Sequence, residues 1–196
     1  VLLVEKNPTV ARIWSWLISA SEAEIKSLPI HEPGEKVHPS VTGPARDWIG
    51  FWNAFGQVAP QEKMVPSAGS NPKFRGYFWN ETFRDRTADA VGRIRHWHVL
   101  CCDYRDIVDV EATWFVDPPY VGLNHYRQGD IDYSDLALWC ASRTGQVIVC
   151  ENEGADWLPF EPFSEVAAAP RANNRGKGGG RRSKEAICTW DSAGEA

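Results

Sequence analysis

Apolar residues enter this chain in two textures, short unbroken runs and stretches spaced three or four apart, and the two alternate. The run Val1-Leu2-Leu3-Val4 has the look of a parallel strand buried on both faces. Asn7-Pro8 follows it; Asn suits a helix N-cap and Pro the first helical position. Val10, Ile13, Trp14 and Leu17 then recur at helical spacing. Ser21-Glu22-Ala23-Glu24 has the form of a capping box opening a second short helix to Leu28. Strand then helix is half of a βαβ unit.

From about Pro29 to Gly76 the pattern breaks up, and seven of the 13 prolines fall there. A segment this long and irregular reads as an inserted functional subregion. Its one aromatic cluster, Trp48, Phe51, Trp52 and Phe55, is spaced as on a helix face, and is expected to form a small core for the insertion in preference to touching a ligand. Alternation then resumes. Phe83, Val91, Ile94 and Trp97 mark a helix, and the run His98 to Cys102 ends at Asp103. Ala112 to Val116 reads as a buried strand ending at Asp117, Leu136, Trp139 and Cys140 as a helix closed near Gly145, and Gln146 to Cys150 as a strand ending at Glu151. This order predicts an α/β fold with a doubly wound, largely parallel sheet. The stretches around Phe163 to Ala167 and Glu185 to Trp190 are expected to pair as a C-terminal β-hairpin. Four strands end on an acid: Glu5, Asp103, Asp117 and Glu151. Ligands of open α/β sheets sit outside the carboxyl ends of the strands. One shared cleft explains four such acids better than four separate helix caps do.

Composition narrows the classes. The 196 residues suit one compact domain with a small insertion. No apolar run approaches the roughly 18 residues of a membrane span, and no secretory signal pattern opens the sequence. Ten Trp, eight Phe and five Tyr argue against disorder over most of the length. Five cysteines without a C-x-x-C pair disfavour zinc or redox chemistry and read as buried thiols of a reducing, cytoplasmic compartment. His96 and His98 have no partner ligands in the pattern, so no metal site is expected. The net charge of −5 at first disfavours nucleic acid. Yet residues 171–184 hold six bases and no acid, leaving −11 for the rest. Such a loop can track phosphates, with a solvated hairpin tip as the equal alternative. Gly176-Lys177-Gly178 lacks the following Ser or Thr and the preceding strand of a P-loop.

The most specific feature is Asp117-Pro118-Pro119-Tyr120, directly after a strand. Two prolines fix φ twice and remove two donors, so the turn holds a carboxylate, a free carbonyl and an aromatic ring stiffly. On these residues the chain resembles the S-adenosylmethionine-dependent amino methyltransferases. In order and flanks it is similar to the Dam-type (alpha-class) N6-adenine DNA methyltransferases, phage-borne members above all. Val4-Glu5-Lys6-Asn7-Pro8, Cys102-Asp103-Tyr104, Glu151-Asn152-Glu153-Gly154 and Arg182-Ser183-Lys184-Glu185 carry the same resemblance.

The resemblance implies a Rossmann-like methyltransferase sheet formed by 1–29 and 88–196, with 30–87 as an inserted target-recognition region. It implies site-specific methylation of adenine N6 in double-stranded DNA by a monomer, as in restriction-modification systems of bacteria or phage-infected cells. Adenine N6 is a poor nucleophile, its lone pair delocalised into the ring. Asp117 and the Pro118 carbonyl would accept its amino hydrogens and aim that lone pair at the methyl group, which is positioning plus transition-state electrostatics. Pro119 stiffens the turn, and Tyr120 would stack on the flipped base. Flipping costs a few kcal/mol, and stacking returns about 1–3 kcal/mol. Glu5 and Asn7, Asp103 and Tyr104, together with Asp117, would line the cofactor site, with Glu5 on the ribose hydroxyls. Arg46, Trp48, Trp52, Lys73, Arg75, Arg181 and Arg182 would contact DNA.

One departure qualifies these expectations. The family's Gly-rich F-x-G-x-G turn, which cradles the methionine end of the cofactor, has no counterpart here. The chain therefore reads as lacking an N-terminal piece with the central first strand, and is expected to have a gap in its sheet and weak S-adenosylmethionine binding. An RNA base methyltransferase with the same D-P-P-Y chemistry and a non-catalytic DNA-binding remnant are the alternative readings.

Overall fold

The computed structural model describes residues 1–53, 59–65, 78–121, 131–167 and 182–192, without the side chains of 165–167 and 182–183. The described chain is mixed α/β, with two sheets and five α-helices. It divides into two compact units, Val1–Tyr104 and Arg105–Ala196.

In the first unit β1 (Leu2–Val4) leads to α1 (Pro8–Ser19), α2 (Glu22–Lys26), α3 (Gly43–Trp52), α4 (Glu81–Val91) and β2 (His98–Leu100). The local signals behave as their chemistry requires. Asn7 caps α1 by accepting from the Thr9 amide, and Ser21 caps α2 by accepting from Glu24. The Glu24 carboxylate accepts from the Trp16 indole at 2.8 Å. α4 stops at Val91 and tightens into a 3₁₀ turn over Gly92–Ile94, so Trp97 lies beyond it. Ile13, Leu17, Ile25, Ile49, Met64, Phe78, Trp79 and Val91 belong to one buried cluster. The aromatic residues of α3 pack on that same cluster, so they complete a shared core and do not form a separate small one. Phe55 lies outside the described residues. The Trp79 indole donates to the Pro29 carbonyl at 2.9 Å, tying positions 50 residues apart.

β1 and β2 are parallel, in the register Leu2 to His98, but β1 is not buried on both faces. Leu2 is 51% and Val4 39% exposed, because β2 is the only strand paired with β1 among the described residues.

The second unit holds β3 (Trp114–Val116), α5 (Tyr133–Ala141), β4 (Gln146–Asn152), β5 (Glu161–Ala167) and β6 (Arg182–Asp191). Strand order is β3-β4-β6-β5, with β3 parallel to β4 and β6 antiparallel to both its neighbours. The expected hairpin is present, and its second strand is the one that joins the sheet. Val147 and Val149 are fully buried, with Val149 paired to Cys188 of β6, and Leu136, Cys140, Ala186 and Cys188 are buried as well. β3 is less covered than its apolar run suggests: as the edge strand it leaves Phe115 67% exposed. The single doubly wound sheet expected from the alternation is thus two sheets among the described residues, because β1 and β3 each have one paired neighbour. Gly145 (φ +94°) makes the turn into β4. No helix among the described residues is long and apolar enough to cross a membrane.

Candidate functional site

The D-P-P-Y turn follows β3 and is tied down residue by residue within the second unit. The Tyr133 hydroxyl donates to the Pro119 carbonyl at 2.5 Å. The Val121 amide donates to Glu151, 3.3 and 3.2 Å from its two oxygens. Glu151 is fully buried and also accepts from the Asn152 amide (2.8 Å) and the Trp157 indole (3.1 Å). A buried carboxylate is tolerated where charge-assisted donors surround it, and here three do. Trp157 lies 5.4 Å from the Tyr133 ring, so one indole steadies both clamps on the turn.

Pro118 is buried, and its carbonyl accepts no hydrogen bond among the described residues. The Tyr120 hydroxyl donates to Glu185 Oε2 at 3.2 Å, and the Asp117 carboxylate is close enough to interact with it electrostatically. Burial raises the Tyr120 hydroxyl pKa well above its usual range, and Asp117 and Glu185 add to the effect. It stays a neutral donor. Asp117 is exposed as a residue, yet partial desolvation of its carboxyl pushes the pKa up, with Glu185 and Glu151 adding to the effect and Tyr120 opposing it. The site is rich in acceptors, so it suits a ligand that brings amino hydrogens.

The residues expected to hold a cofactor's ribose and adenine lie in the first unit. Glu5 Oε1 accepts from the Asn7 amide at 2.6 Å, while its other oxygen takes no hydrogen bond among the described residues. The Asn7 side chain is committed as the α1 cap, accepting from Thr9. Asp103 pairs with Lys6 at 2.8 Å, and Tyr104 opens a 3₁₀ turn ending at Asp106. Glu5 and Asp103 thus follow the paired parallel strands of one unit and Asp117 follows β3 of the other, while Glu151 lies inside β4, which runs on to Asn152 because its ladder with β6 continues past Cys150.

Of the DNA-contact candidates, Arg46 directs Nη1 at the carbonyls of Val37, His38 and Val41 (3.4, 3.4 and 3.3 Å). Trp48 and Trp52 meet edge to face at 5.5 Å and both contact Phe83. Their indole nitrogens are buried without a hydrogen-bond partner among the described residues. Lys73, Arg75, Arg181 and the side chain of Arg182 lie outside the described residues.

Tyr133 and Trp157 have no place in the sequence reading, and Glu185 enters it only through the Arg182-Ser183-Lys184-Glu185 match and the strand it opens, with no role at the site. Glu185 had a readable signal, an acid opening the apolar run Ala186-Ile187-Cys188. Tyr133 and Trp157 had none, since nothing local says that either side chain faces the turn. The chain matches no protein-family model, and no curated protein matches it significantly.

Proposed function

We propose that this chain carries the catalytic turn of a site-specific DNA adenine-N6 methyltransferase with a Rossmann-like catalytic fold, acting as a monomer on double-stranded DNA. The observation that carries the reading is the division of labour in the turn. Pro119, Tyr120 and Val121 are clamped by Tyr133, Glu185 and Glu151, while the Pro118 carbonyl and an Asp117 oxygen are left to accept. Two acceptors on a rigid turn match the two hydrogens of an exocyclic amine, and preorganised acceptors stabilise the charge that grows on nitrogen.

S-adenosylmethionine supplies an electrophilic methyl group when bound. Glu5 fits its ribose, since one carboxylate oxygen holds the turn and the other is open to hydroxyl donors. Asp103 is held by Lys6 beside it. Asn7 fits less well, its side chain being occupied as a helix cap. Support for direct DNA contact is weak at Arg46, Trp48 and Trp52, whose groups serve the interior of the first unit.

Transfer of tritiated methyl groups by the full encoded protein, with duplex DNA and RNA as competing substrates, tests the reading. Incorporation into DNA that Asp117→Ala lowers at least a hundredfold (about the 2.7 kcal/mol lost with one transition-state partner) supports it. Preference for RNA, no incorporation, or full activity in Asp117→Ala overturns it.

A further inference from the structure

The unit Val1–Tyr104 contains a cavity of about 540 Å³ that the reading above does not use, within the size range of small-molecule sites. His31 lines it and is 8% exposed. The state of this histidine follows from its neighbours. Asn53 is fully buried, and its Nδ2 donates to the Gln61 carbonyl at 2.9 Å. That bond fixes which way the amide faces and turns Oδ1 to His31 Nε2, 2.8 Å away. An amide oxygen only accepts, so Nε2 carries the hydrogen. Burial lowers the pKa of the ring, favouring the neutral form against the Asn53 hydrogen bond and the pull of Glu35 and Glu32. Nδ1 is therefore a bare acceptor, and no hydrogen bond reaches it among the described residues.

The start of α4 lines the same cavity through Asn80, Glu81 and Thr82. The Asn80 side chain takes the Phe83 amide at 2.9 Å. The Glu81 and Thr82 amides, as first-turn donors, have no partner within the helix. Met64 and Phe78 supply apolar wall. Among the described residues Glu32 and Glu81 are its charged lining residues and no Lys or Arg lines it, so this wall repels a phosphate.

We infer that this cavity binds a heteroaromatic amine bearing no phosphate. Its amino group donates to His31 Nδ1, its adjacent ring acceptor takes a first-turn amide of α4, and its faces lie against Met64 and Phe78. Methyl transfer plays no part in this, so the inference stands or falls separately from the proposed activity.

Cytidine, uridine and cytidine monophosphate are the probes, titrated calorimetrically into the full protein. Cytidine presents an amino donor beside a ring acceptor, and uridine presents the reverse edge. Saturable cytidine binding, with uridine and the monophosphate each at least about tenfold weaker, is expected, since unpaired buried polar groups discriminate strongly. His31→Phe, which keeps a ring and removes Nδ1, should weaken cytidine to the level of uridine. Nitrogen NMR of the unaltered protein gives a second readout that needs no variant: cytidine should shift the His31 Nδ1 resonance, and uridine should not. Equal binding of cytidine and uridine, tighter binding of the monophosphate, an unmoved His31 signal, or no saturation by cytidine at millimolar concentration would overturn the inference.

Discussion

The carboxylate of Glu151, buried on β4, accepts the amide hydrogen of Val121, 30 residues earlier and next to Tyr120. One side chain therefore sets where the D-P-P-Y turn leaves its strand. Glu151→Gln keeps the shape but gives the site an amide nitrogen facing N–H donors. Burying such a mismatch costs about 1–3 kcal/mol, so the melting temperature should fall by several degrees. Hydrogen exchange at Val121 should accelerate with it. An unchanged melting curve would show that the carboxylate does not hold the turn.

Tyr133→Phe makes a smaller, cleaner cut. The ring stays against Trp157, and the donor to the Pro119 carbonyl is lost. Stability should drop by about 1 kcal/mol in denaturant titrations. Under the proposed activity, kcat should fall more than KM rises, because the turn positions the amine without binding the rest of the substrate. A pure KM effect would place Tyr133 in substrate binding.

Local rules were legible because they act over a few residues. The Asn7 and Ser21 caps and the α3 face follow from short-range spacing, while the β5–β6 pairing, which joins Glu161 to Ile187 and Ala167 to Arg182, was legible only as two strand-like runs. Burial was less legible. Val1 to Val4 and Ala112 to Val116 are apolar enough for sheet interiors, but exposure depends on how many strands pair alongside them, and that is a property of topology. In the site, the strand-end position of Asp117 could be read from the apolar run before it. The clamps could not, because Tyr133, Trp157 and Glu185 reach the turn only through long-range packing.

Cysteine reactivity should separate along burial. The Cys140 thiol is pushed up to about 11 by burial, and Cys150 and Cys188 are raised for the same main reason. Cys101 is exposed and Cys102 and Cys150 are half-buried, so the expectation of buried thiols holds fully for Cys140 and Cys188 and fails at Cys101. The thiolate is the reactive form. With a thiol-specific chromogenic reagent at pH 8, Cys101 should react first, and Cys140 only after denaturant is added. Fast modification of Cys140 in the native protein, located by peptide mass mapping, would contradict this packing.

Gly145 has a narrower tolerance. Its φ of +94° is already costly for an L side chain, and a Cβ there would lie 2.3 Å from the Ala112 carbonyl oxygen. The listener across the gap is backbone, so nothing flexible can move aside. Gly145→Ala combines left-handed strain with a clash and should cost at least about 2 kcal/mol. Gly154→Ala is the control: φ is +97°, with no atom within 4 Å of the added carbon. It should show the strain alone and melt between the wild type and Gly145→Ala.

Asp117 should make stability and activity respond to pH in opposite directions. Its folded-state value is raised by partial desolvation and by Glu185 and Glu151, with Tyr120 opposing. A carboxyl with a raised value binds its proton more tightly when folded, so protonation favours the folded chain. Its contribution to stability is greatest below the unfolded value near 3.8. It falls as the pH rises through the raised folded value, and above that the ionised group opposes folding in full. Asp117→Asn removes this titration and leaves an acceptor for Tyr120. The variant should therefore melt higher than the wild type at pH 7, with the advantage shrinking as the pH is lowered towards 3.8. Methyl transfer, if Asp117 must be ionised to accept an amino hydrogen, should instead rise with pH through that same folded-state value. A difference-in-melting profile and an activity profile on one buffer series measure both limbs. A shared midpoint ties the proton that destabilises the fold to the one that blocks the chemistry. If Asp117→Asn is the less stable protein at pH 7, the carboxylate is held by favourable contacts, and the raised value is wrong.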